Sequence, residues 1–336
     1  MKIVIATPLY PPEIGGPATY AKNLEEGLSE QGNDISLVKF SDVCRYPKLI
    51  RHAAYFWQVL RALRDAEVVI AFDTWSTGIP ALLAAKVSGK KILVRIGGDF
   101  LWESYIERTH TLVRLSEFYT QKRIFSYKEH LIFRGAKWIT RSADTLVFNT
   151  VWQRDLWQGV YTFDSRKTVI IENEYPEVYE QSLAQGRVFV AAGRPHFLKN
   201  LQLLETVFAD LKSTFPDIEL DTRVLSPLEH EMRIRNAYAM VIPSVSEVSS
   251  NTAIDALRFG KPFIMSSDTG ARERMGNVGI FIDTLNPGAL RQALEKILDP
   301  KEYARALERI RTFTFLHSRE EVIQEFSTAL HTLCAS

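Results

Sequence analysis

The sequence predicts an α/β protein made of two Rossmann-like domains, and three features support this prediction. Short apolar runs that suit buried parallel strands alternate with helix-length segments along most of the chain. The first run is followed by a glycine-containing loop, a helix and a second strand, which is a βαβ start. The same order begins again near residue 187, and 336 residues are enough for two domains of ordinary size.

In the first half of the chain, apolar runs predict six buried strands. These strands cover residues 2–6, 35–40, 68–72, 91–96, 145–148 and 168–171. Helical spacing of apolar residues predicts a helix from Ala18 that Gly32 ends, and further helices over 47–66 and 79–87. Asn149 or Thr150 is expected to cap another helix.

The second half begins with a predicted strand over 187–192 and a helix through Leu201 and Leu211. Further strands are predicted over 239–242, 263–265 and 278–283, with helices near 253–259, from 289 onward and over 314–336. The segment 173–186 is polar and unpatterned, which is typical of a linker. We therefore predict domains at 1–175 and 176–315, followed by a terminal helix at 316–336.

Composition indicates a soluble globular protein, with 46% hydrophobic and 24% charged residues. The net charge of +1 provides no electrostatic basis for binding nucleic acid. Cys44 and Cys334, the only cysteines, lie near opposite ends and predict neither a disulfide framework nor a cysteine metal site. Residues 3–6 are too short for a signal-peptide core, and no apolar run suits a membrane span. We expect a cytoplasmic protein or a peripheral protein at the inner face of the membrane.

Two basic segments allow two interpretations. The predicted helix over 47–66 has an apolar stripe with arginines elsewhere, and the segment 109–137 is long, basic and aromatic. The first can lie on an anionic membrane surface, and the second can attract anionic lipid or an acceptor that carries a phosphate. More often the stripe packs in a core and the charges face solvent.

The most informative stretch is residues 241–273, where a buried strand, a polar loop, a helix and another strand follow one another. Ligands of parallel sheets bind at the carboxyl ends of strands, and a helix N-terminus there attracts phosphate. Glu247 and Asp255 flank this helix start, and carboxylates accept hydrogen bonds from sugar hydroxyls. Together these features suit a nucleotide sugar. Alternatively, Thr252 and Asp255 form a capping box that only closes the helix start.

A second cluster of candidate ligand-binding residues begins the second half of the chain. Gly193 and Arg194 follow the predicted strand, and Lys199 comes just before the next helix. Two cations where a strand gives way to a helix suit a diphosphate, which arginine can bind through two hydrogen bonds.

Together, the two clusters resemble the donor-site signature of GT-B glycosyltransferases, closest to the large retaining family 4. The matching residues are Gly193-Arg194, Lys199, Pro243-Ser244, Glu247, Gly260-Lys261-Pro262, Asp268-Thr269-Gly270 and Glu273. The chain departs from the family pattern at Asp255, where glutamate is usual, at Asn200, where glycine is frequent, and at Gly97, where many members have histidine.

The resemblance implies two Rossmann-like domains that face each other across a cleft, with the C-terminal helix crossing back to the first domain. It implies catalytic roles for Arg194 and Lys199 on the donor diphosphate and for Glu247 on the sugar. Asp99 is the nearest candidate for the role left vacant at Gly97; a loop aspartate that satisfies backbone N–H groups is the alternative. Donor binding is expected from Gly15, Gly16, Gly193, Ser249, Ser250, Asn251, Thr252 and Asp255.

The predicted function is transfer of a sugar from a nucleotide diphosphate sugar to a saccharide or lipid-linked acceptor. The family implies retention of anomeric configuration, and cell-surface polysaccharide or glycolipid synthesis as the setting. No Asp-x-Asp motif is apparent, so we expect no metal site and no cofactor. Two alternatives are a non-catalytic nucleotide-sugar-binding protein and a NAD-type oxidoreductase, although no complete G-x-G-x-x-G follows the first strand.

Overall fold

The computed structural model describes residues 1–13, 15–177, 184, 186–191, 196–224 and 227–335, and the chain divides into two compact units. The first unit contains Met1–Leu101, Ile124–Glu174 and His317–Ser336. The second contains Trp102–Arg123 and Tyr175–Leu316. Each unit has its own parallel sheet with helices, which confirms the predicted α/β class.

All six strands predicted in the first half are present and form one parallel sheet. They are β1 Lys2–Thr7, β2 Asp34–Lys39, β3 Val68–Ala71, β4 Lys91–Ile96, β5 Thr145–Phe148 and β6 Thr168–Ile170. The helices of this half are α1 Gly16–Glu30, α2 Lys48–Ala62, α3 Gly78–Ser88, α4 Phe100–Thr109, α5 Leu115–Phe118, α6 Tyr127–Ser142 and α7 Val151–Tyr161. The strand order is β2-β1-β3-β4-β5-β6, so the chain reverses its direction of travel across the sheet between β1 and β3.

The strands form because their apolar runs are buried on both faces of the sheet, as in β3, where every residue is buried. Helix α1 buries one stripe, including Ala21 and Leu24, against this sheet. Gly27 of the same helix allows close approach of α14 (Arg319–Ala335), because a Cβ at Gly27 would lie 2.5 Å from Ile323. The terminal helix therefore packs against the first unit.

The second unit contains a five-stranded parallel sheet. Its strands are β7 Arg187–Val190, β8 Ile218–Asp221, β9 Ala239–Ile242, β10 Phe263–Ser266 and β11 Ile280–Ile282. The remaining helices are α8 Leu201–Lys212, α9 Pro227–Asn236, α10 Asn251–Arg258, α11 Arg272–Met275, α12 Pro287–Leu298 and α13 Pro300–Arg311. The order is β11-β10-β9-β7-β8, which places the reversal between β7 and β9.

The division into units differs from the predicted domain bounds in one segment. The prediction assigned residues 102–123 to the first domain, whereas this segment packs within the second unit. Its anchor is Arg114, whose Nη2 atom lies 2.6 Å from the Asp283 Oδ2 atom. The two residues are far apart in sequence, so no local pattern could reveal the contact.

The basic segment 109–137 is not one continuous helical stretch. Helix α4 ends at Thr109, α5 is a single short turn, and α6 begins at Tyr127. Ser126 starts α6 with a complete capping box, because its side chain accepts from the Glu129 backbone and the Glu129 carboxylate accepts from the Ser126 N–H. The boundary thus follows local capping chemistry.

Candidate functional site

The candidate site lies at the carboxyl ends of β7 and β9, where the second sheet reverses its strand order. This is where open parallel sheets bind ligands. Lys199 ends a 3₁₀ turn, Phe197–Lys199, in the connection after β7, and Glu247 lies in the loop after β9. The Lys199 Nζ atom lies 2.7 Å from the Glu247 Oε1 atom, so the structure pairs two of the predicted catalytic side chains.

Two hydrogen bonds and the backbone conformation of Asn200 hold the Lys199 segment in place. Asn200 adopts a left-handed backbone with φ of 51°, a region that glycine and asparagine tolerate best. This explains why asparagine replaces the usual glycine, and its Nδ2 atom also donates to the Thr284 carbonyl at 2.8 Å. Val245 N donates to Leu198 O at 3.0 Å and thereby ties the connection after β7 to the loop after β9.

The backbone of Glu247 is fixed by the loop that follows β10. Glu247 N donates to Asp268 O at 3.1 Å, and Gly270 N donates to Glu247 O at 3.3 Å. Glu247 and Thr269 therefore form an isolated parallel bridge. The Asp268-Thr269-Gly270 motif thereby holds the backbone of the distant Glu247 in place.

Beneath this bridge lies a buried polar network that the sequence analysis did not predict. Ser246 Oγ donates to Asp268 Oδ2 at 2.5 Å, and the backbone N–H groups of Leu115 and Ser116 donate to Ser246 Oγ and Asp268 Oδ2. Segment 102–123 thus supplies donors to a buried carboxylate. The position of Asp268 in the motif was visible in the sequence, but its partners at the start of α5 were not.

Helix α10 begins beside Glu247 with Ser250 as its N-cap, because the Ser250 Oγ atom accepts from Ala253 N at 3.3 Å. Ser249 precedes the cap, and Asn251 and Thr252 form the first turn. The alternative of a Thr252–Asp255 capping box is wrong, because Asp255 stands at the fifth helical position and not the third. At the other end of α10, Gly260 follows the C-cap residue Phe259 with φ of 64°, the left-handed conformation in which many helices end.

The other predicted site residues fall into two groups. Gly193 and Arg194 lie outside the described residues. Gly15, Gly16 and Asp99 belong to the first unit: Gly15 precedes α1 with a positive φ of 153°, which glycine adopts readily, and Asp99 is buried just after β4.

The two doubly wound sheets, each with its reversal point, define the GT-B fold, and comparison with solved structures identifies the same fold. Sucrose-phosphate synthase from Thermosynechococcus elongatus superposes with a TM-score of 0.75 at 14% identity, covering 100% of this chain and 99% of that one. Anabaena HepE in complex with UDP-glucose superposes with a TM-score of 0.70 at 13% identity, covering 99% of this chain and 100% of that one.

The catalytic domain of starch synthase IV from Arabidopsis thaliana, bound to ADP and acarbose, gives a TM-score of 0.68 at 12% identity, covering 100% of this chain and 99% of that one. No protein-family model matches the sequence, and no curated protein matches it. At these identities the structural likeness establishes the fold, and the activity has to be argued from the site.

Proposed function

We propose that the protein is a glycosyltransferase that moves a sugar from a nucleotide diphosphate sugar to a saccharide or lipid-linked acceptor. The observation that carries this proposal is the Lys199–Glu247 pair beside the start of α10, at the reversal point of the second sheet. Anabaena HepE, which shares the fold, has been solved with UDP and with UDP-glucose, and this supports a nucleotide-sugar donor. The proposed setting is the synthesis of cell-surface polysaccharide or glycolipid.

In the proposed reaction, the bond between the anomeric carbon and the diphosphate oxygen breaks, and the acceptor hydroxyl oxygen bonds to that carbon. The hydroxyl proton passes to the leaving diphosphate or to water. Negative charge then develops on the leaving diphosphate. Lys199, Arg194 and the positive end of the α10 dipole would stabilise it at a preorganised site. Glu247 would accept hydrogen bonds from sugar hydroxyls and Asp255 from the ribose. Retention of configuration is part of the proposal, with no protein nucleophile assigned.

A donor assay separates this function from its two alternatives. UDP-glucose and ADP-glucose are incubated with the protein, with and without a panel of saccharide and lipid-linked acceptors, and release of nucleoside diphosphate is measured. A transferase releases diphosphate faster when its acceptor is present. A binding protein binds the nucleotide sugar without turnover, and an oxidoreductase changes NAD absorbance instead.

The first prediction concerns metal ions. Because cationic side chains and a helix terminus take the charge-stabilising role, we expect turnover in EDTA to stay within about twofold of turnover in magnesium. The measurement is the initial rate of diphosphate release in each buffer. A loss of activity in EDTA that magnesium or manganese restores would show that a metal ion carries part of the leaving-group charge.

The second prediction concerns Asp255, whose position at the fifth residue of α10 removes it from helix capping. Replacement by asparagine substitutes a donor for one acceptor oxygen, so affinity for a nucleotide should fall several-fold, about 1 kcal/mol. The melting temperature should change little. Calorimetry with UDP and its 2′,3′-dideoxy analogue tests this, because only the wild type should prefer the full ribose. Equal discrimination by both proteins would remove Asp255 from the nucleotide site.

We also propose that α2 contacts an anionic membrane. The helix buries Tyr55 and Val59, as the core interpretation requires, yet Ile50 and Trp57 remain 55% and 58% exposed. The exposed cation Arg61 lies on the same helix. Exposed tryptophan next to basic residues suits the headgroup region of an anionic bilayer. No helix within the described parts of the chain is long and apolar enough to cross a bilayer.

For this contact, Trp57→Ser should reduce co-sedimentation with phosphatidylglycerol vesicles several-fold, since the aromatic side chain supplies much of the buried area. Added salt should weaken wild-type binding by screening the cations. Leu316→Ser, at an equally exposed apolar residue of the second unit, is the matched control. Equal binding of wild type and Trp57→Ser, or no preference over phosphatidylcholine vesicles, would argue against the contact.

A further inference from the structure

Arg95 is a buried cation in the first unit that the proposed mechanism does not use. It is the fifth residue of β4, in the middle of the sheet, and is only 5% exposed. Its guanidinium lies over the Tyr20 ring, with the Cζ atom 3.6 Å from the ring centroid. Its Nη2 atom donates to the Asn173 Oδ1 atom at 3.3 Å.

These contacts leave the charge of Arg95 without a counter-charge. Arg95 makes no ion pair with any carboxylate in the described part of the chain, and its buried Nε atom has no hydrogen-bond partner. An arginine side chain stays protonated in proteins, so burial cannot neutralise it. A ring face and an amide oxygen compensate only part of the desolvation cost of a buried charge. The charge of Arg95 is therefore only partly compensated by the described residues around it.

Gly97 gives access to this guanidinium. It lies two residues beyond Arg95, directly after β4, and is exposed. A Cβ at this position would lie only 2.7 Å from the Arg95 Nη1 atom. The guanidinium therefore reaches an exposed stretch of backbone at the carboxyl end of a central strand, where parallel sheets bind ligands. Glycine at 97 keeps the space above Nη1 open.

We propose that Arg95 is a specificity-determining residue that binds an oxyanion of a substrate, either a carboxylate or a phosphate, through the opening at Gly97. The planar guanidinium matches both groups, because each can accept two parallel hydrogen bonds. The oxyanion belongs either to the transferred sugar, as in a uronic acid, or to the acceptor. This inference rests on the proposed function and deepens it by adding an acidic group to the substrate.

The test compares anionic ligands with neutral counterparts by calorimetry. UDP-glucuronate against UDP-glucose forms the donor arm. Glucuronate and glucose 6-phosphate against glucose, each added in the presence of UDP, form the acceptor arm. Wild type should prefer the anionic member of at least one arm by about tenfold or more, as expected for a charged hydrogen-bonded pair. The arm that shows the preference identifies the source of the oxyanion.

Variants assign that preference to Arg95. Arg95→Met should remove it, Arg95→Lys should keep part of it, and Gly97→Ala should weaken it by crowding the Nη1 atom. Arg141→Met, which removes an exposed cation from the same unit, should leave it unchanged. UDP affinity should be the same in all four variants. Should Arg95→Met fail to fold, Gly97→Ala decides, because it keeps the buried charge.

The inference is overturned if no arm shows a preference, or if the preference survives in Arg95→Met or, where that variant does not fold, in Gly97→Ala. A higher melting temperature for Arg95→Met with unchanged ligand selectivity would likewise show that Arg95 is a structural cation only. Sugar transfer without selectivity for anions would overturn this inference and leave the proposed function standing. Anion binding that depends on Arg95, in a protein that transfers no sugar, would support this inference and overturn the proposed function.

Discussion

Replacing Lys199 by methionine is expected to lower kcat for sugar transfer about 100- to 1,000-fold, the usual effect of removing one group that stabilises transition-state charge. Methionine has a similar length but cannot neutralise the leaving diphosphate. The ground-state affinity for the donor should fall much less than kcat, because the negative charge grows as the glycosidic bond breaks. Rates of diphosphate release under saturating donor provide the measurement.

Lys212→Met is the matched control for this variant, because Lys212 is an exposed cation at the end of α8 in the same unit. It should retain wild-type kcat. Melting curves of both variants establish that each is folded, since Lys199→Met leaves the half-buried Glu247 without its cation. If Lys199→Met kept kcat within threefold of wild type, Lys199 would not stabilise the leaving group.

Replacing Asp221 by alanine is expected to lower the free energy of unfolding by about 3–5 kcal/mol, the cost of leaving a buried charge unpaired. Asp221 ends β8 and accepts from Arg233 Nη1 at 3.1 Å and from Arg223 Nη2 at 2.7 Å. The Arg233 side chain is only 7% exposed, and its Nε and Nη2 atoms have no partner. Burial lowers the pKa of Arg233, which reflects the same desolvation.

The control is Asp217→Ala. Asp217 pairs with Arg187 at 3.4 Å, but its side chain is 62% exposed, so its removal should cost under about 1 kcal/mol. Urea unfolding of the two variants measures the difference. Adding Arg233→Met to Asp221→Ala should recover much of the loss, because no buried charge then remains. An equal loss of unfolding free energy in Asp221→Ala and Asp217→Ala would contradict the conclusion that Arg233 is a buried cation that needs Asp221 as its counter-charge.

The same carboxylate gives stability a pH dependence of known sign. Hydrogen bonds from Arg223, and the nearby charge of Arg233, hold the pKa of Asp221 below its ordinary value in the folded protein. A carboxylate with a lowered folded pKa stabilises the protein above its unfolded pKa of about 3.9. This contribution is lost as the pH falls through the folded pKa. Asp221→Ala should therefore show a weaker decline in stability at acidic pH.

Buried parallel strands were the most predictable part of the fold. Residues 91–96, 145–148 and 239–242 were predicted as strands with the bounds that the structure gives to β4, β5 and β9. Their apolar runs are continuous because both faces of a central strand are covered. Strand β8 was not predicted, because it is an edge strand whose sequence, Ile-Glu-Leu-Asp, contains no continuous apolar run. Helix α9 was not predicted either.

The candidate site was predictable in its residue types but not in its supporting contacts. The spacing of the motifs predicted Lys199 and Glu247 as site residues, and the structure shows that their side chains form an ion pair. The sequence suggested a cap at Thr252, whereas the structure places the N-cap of α10 at Ser250, two residues earlier in a run of polar residues. Arg95 gave no sequence pattern, because a single arginine in a strand is normally expected at an exposed position. Its significance depends on burial and missing partners, which only coordinates reveal.

A transfer assay followed by product analysis tests the proposed glycosyltransferase function. Nucleotide sugar that co-purifies with the protein is identified by mass spectrometry and then supplied, in EDTA, with the candidate acceptors. We expect a glycosylated product, release of one nucleoside diphosphate per sugar transferred, retained anomeric configuration by NMR, and loss of turnover in Lys199→Met. The proposed function would be contradicted if the protein bound the donor yet formed no product with any acceptor. It would also be contradicted if turnover were the same in wild type and in Lys199→Met.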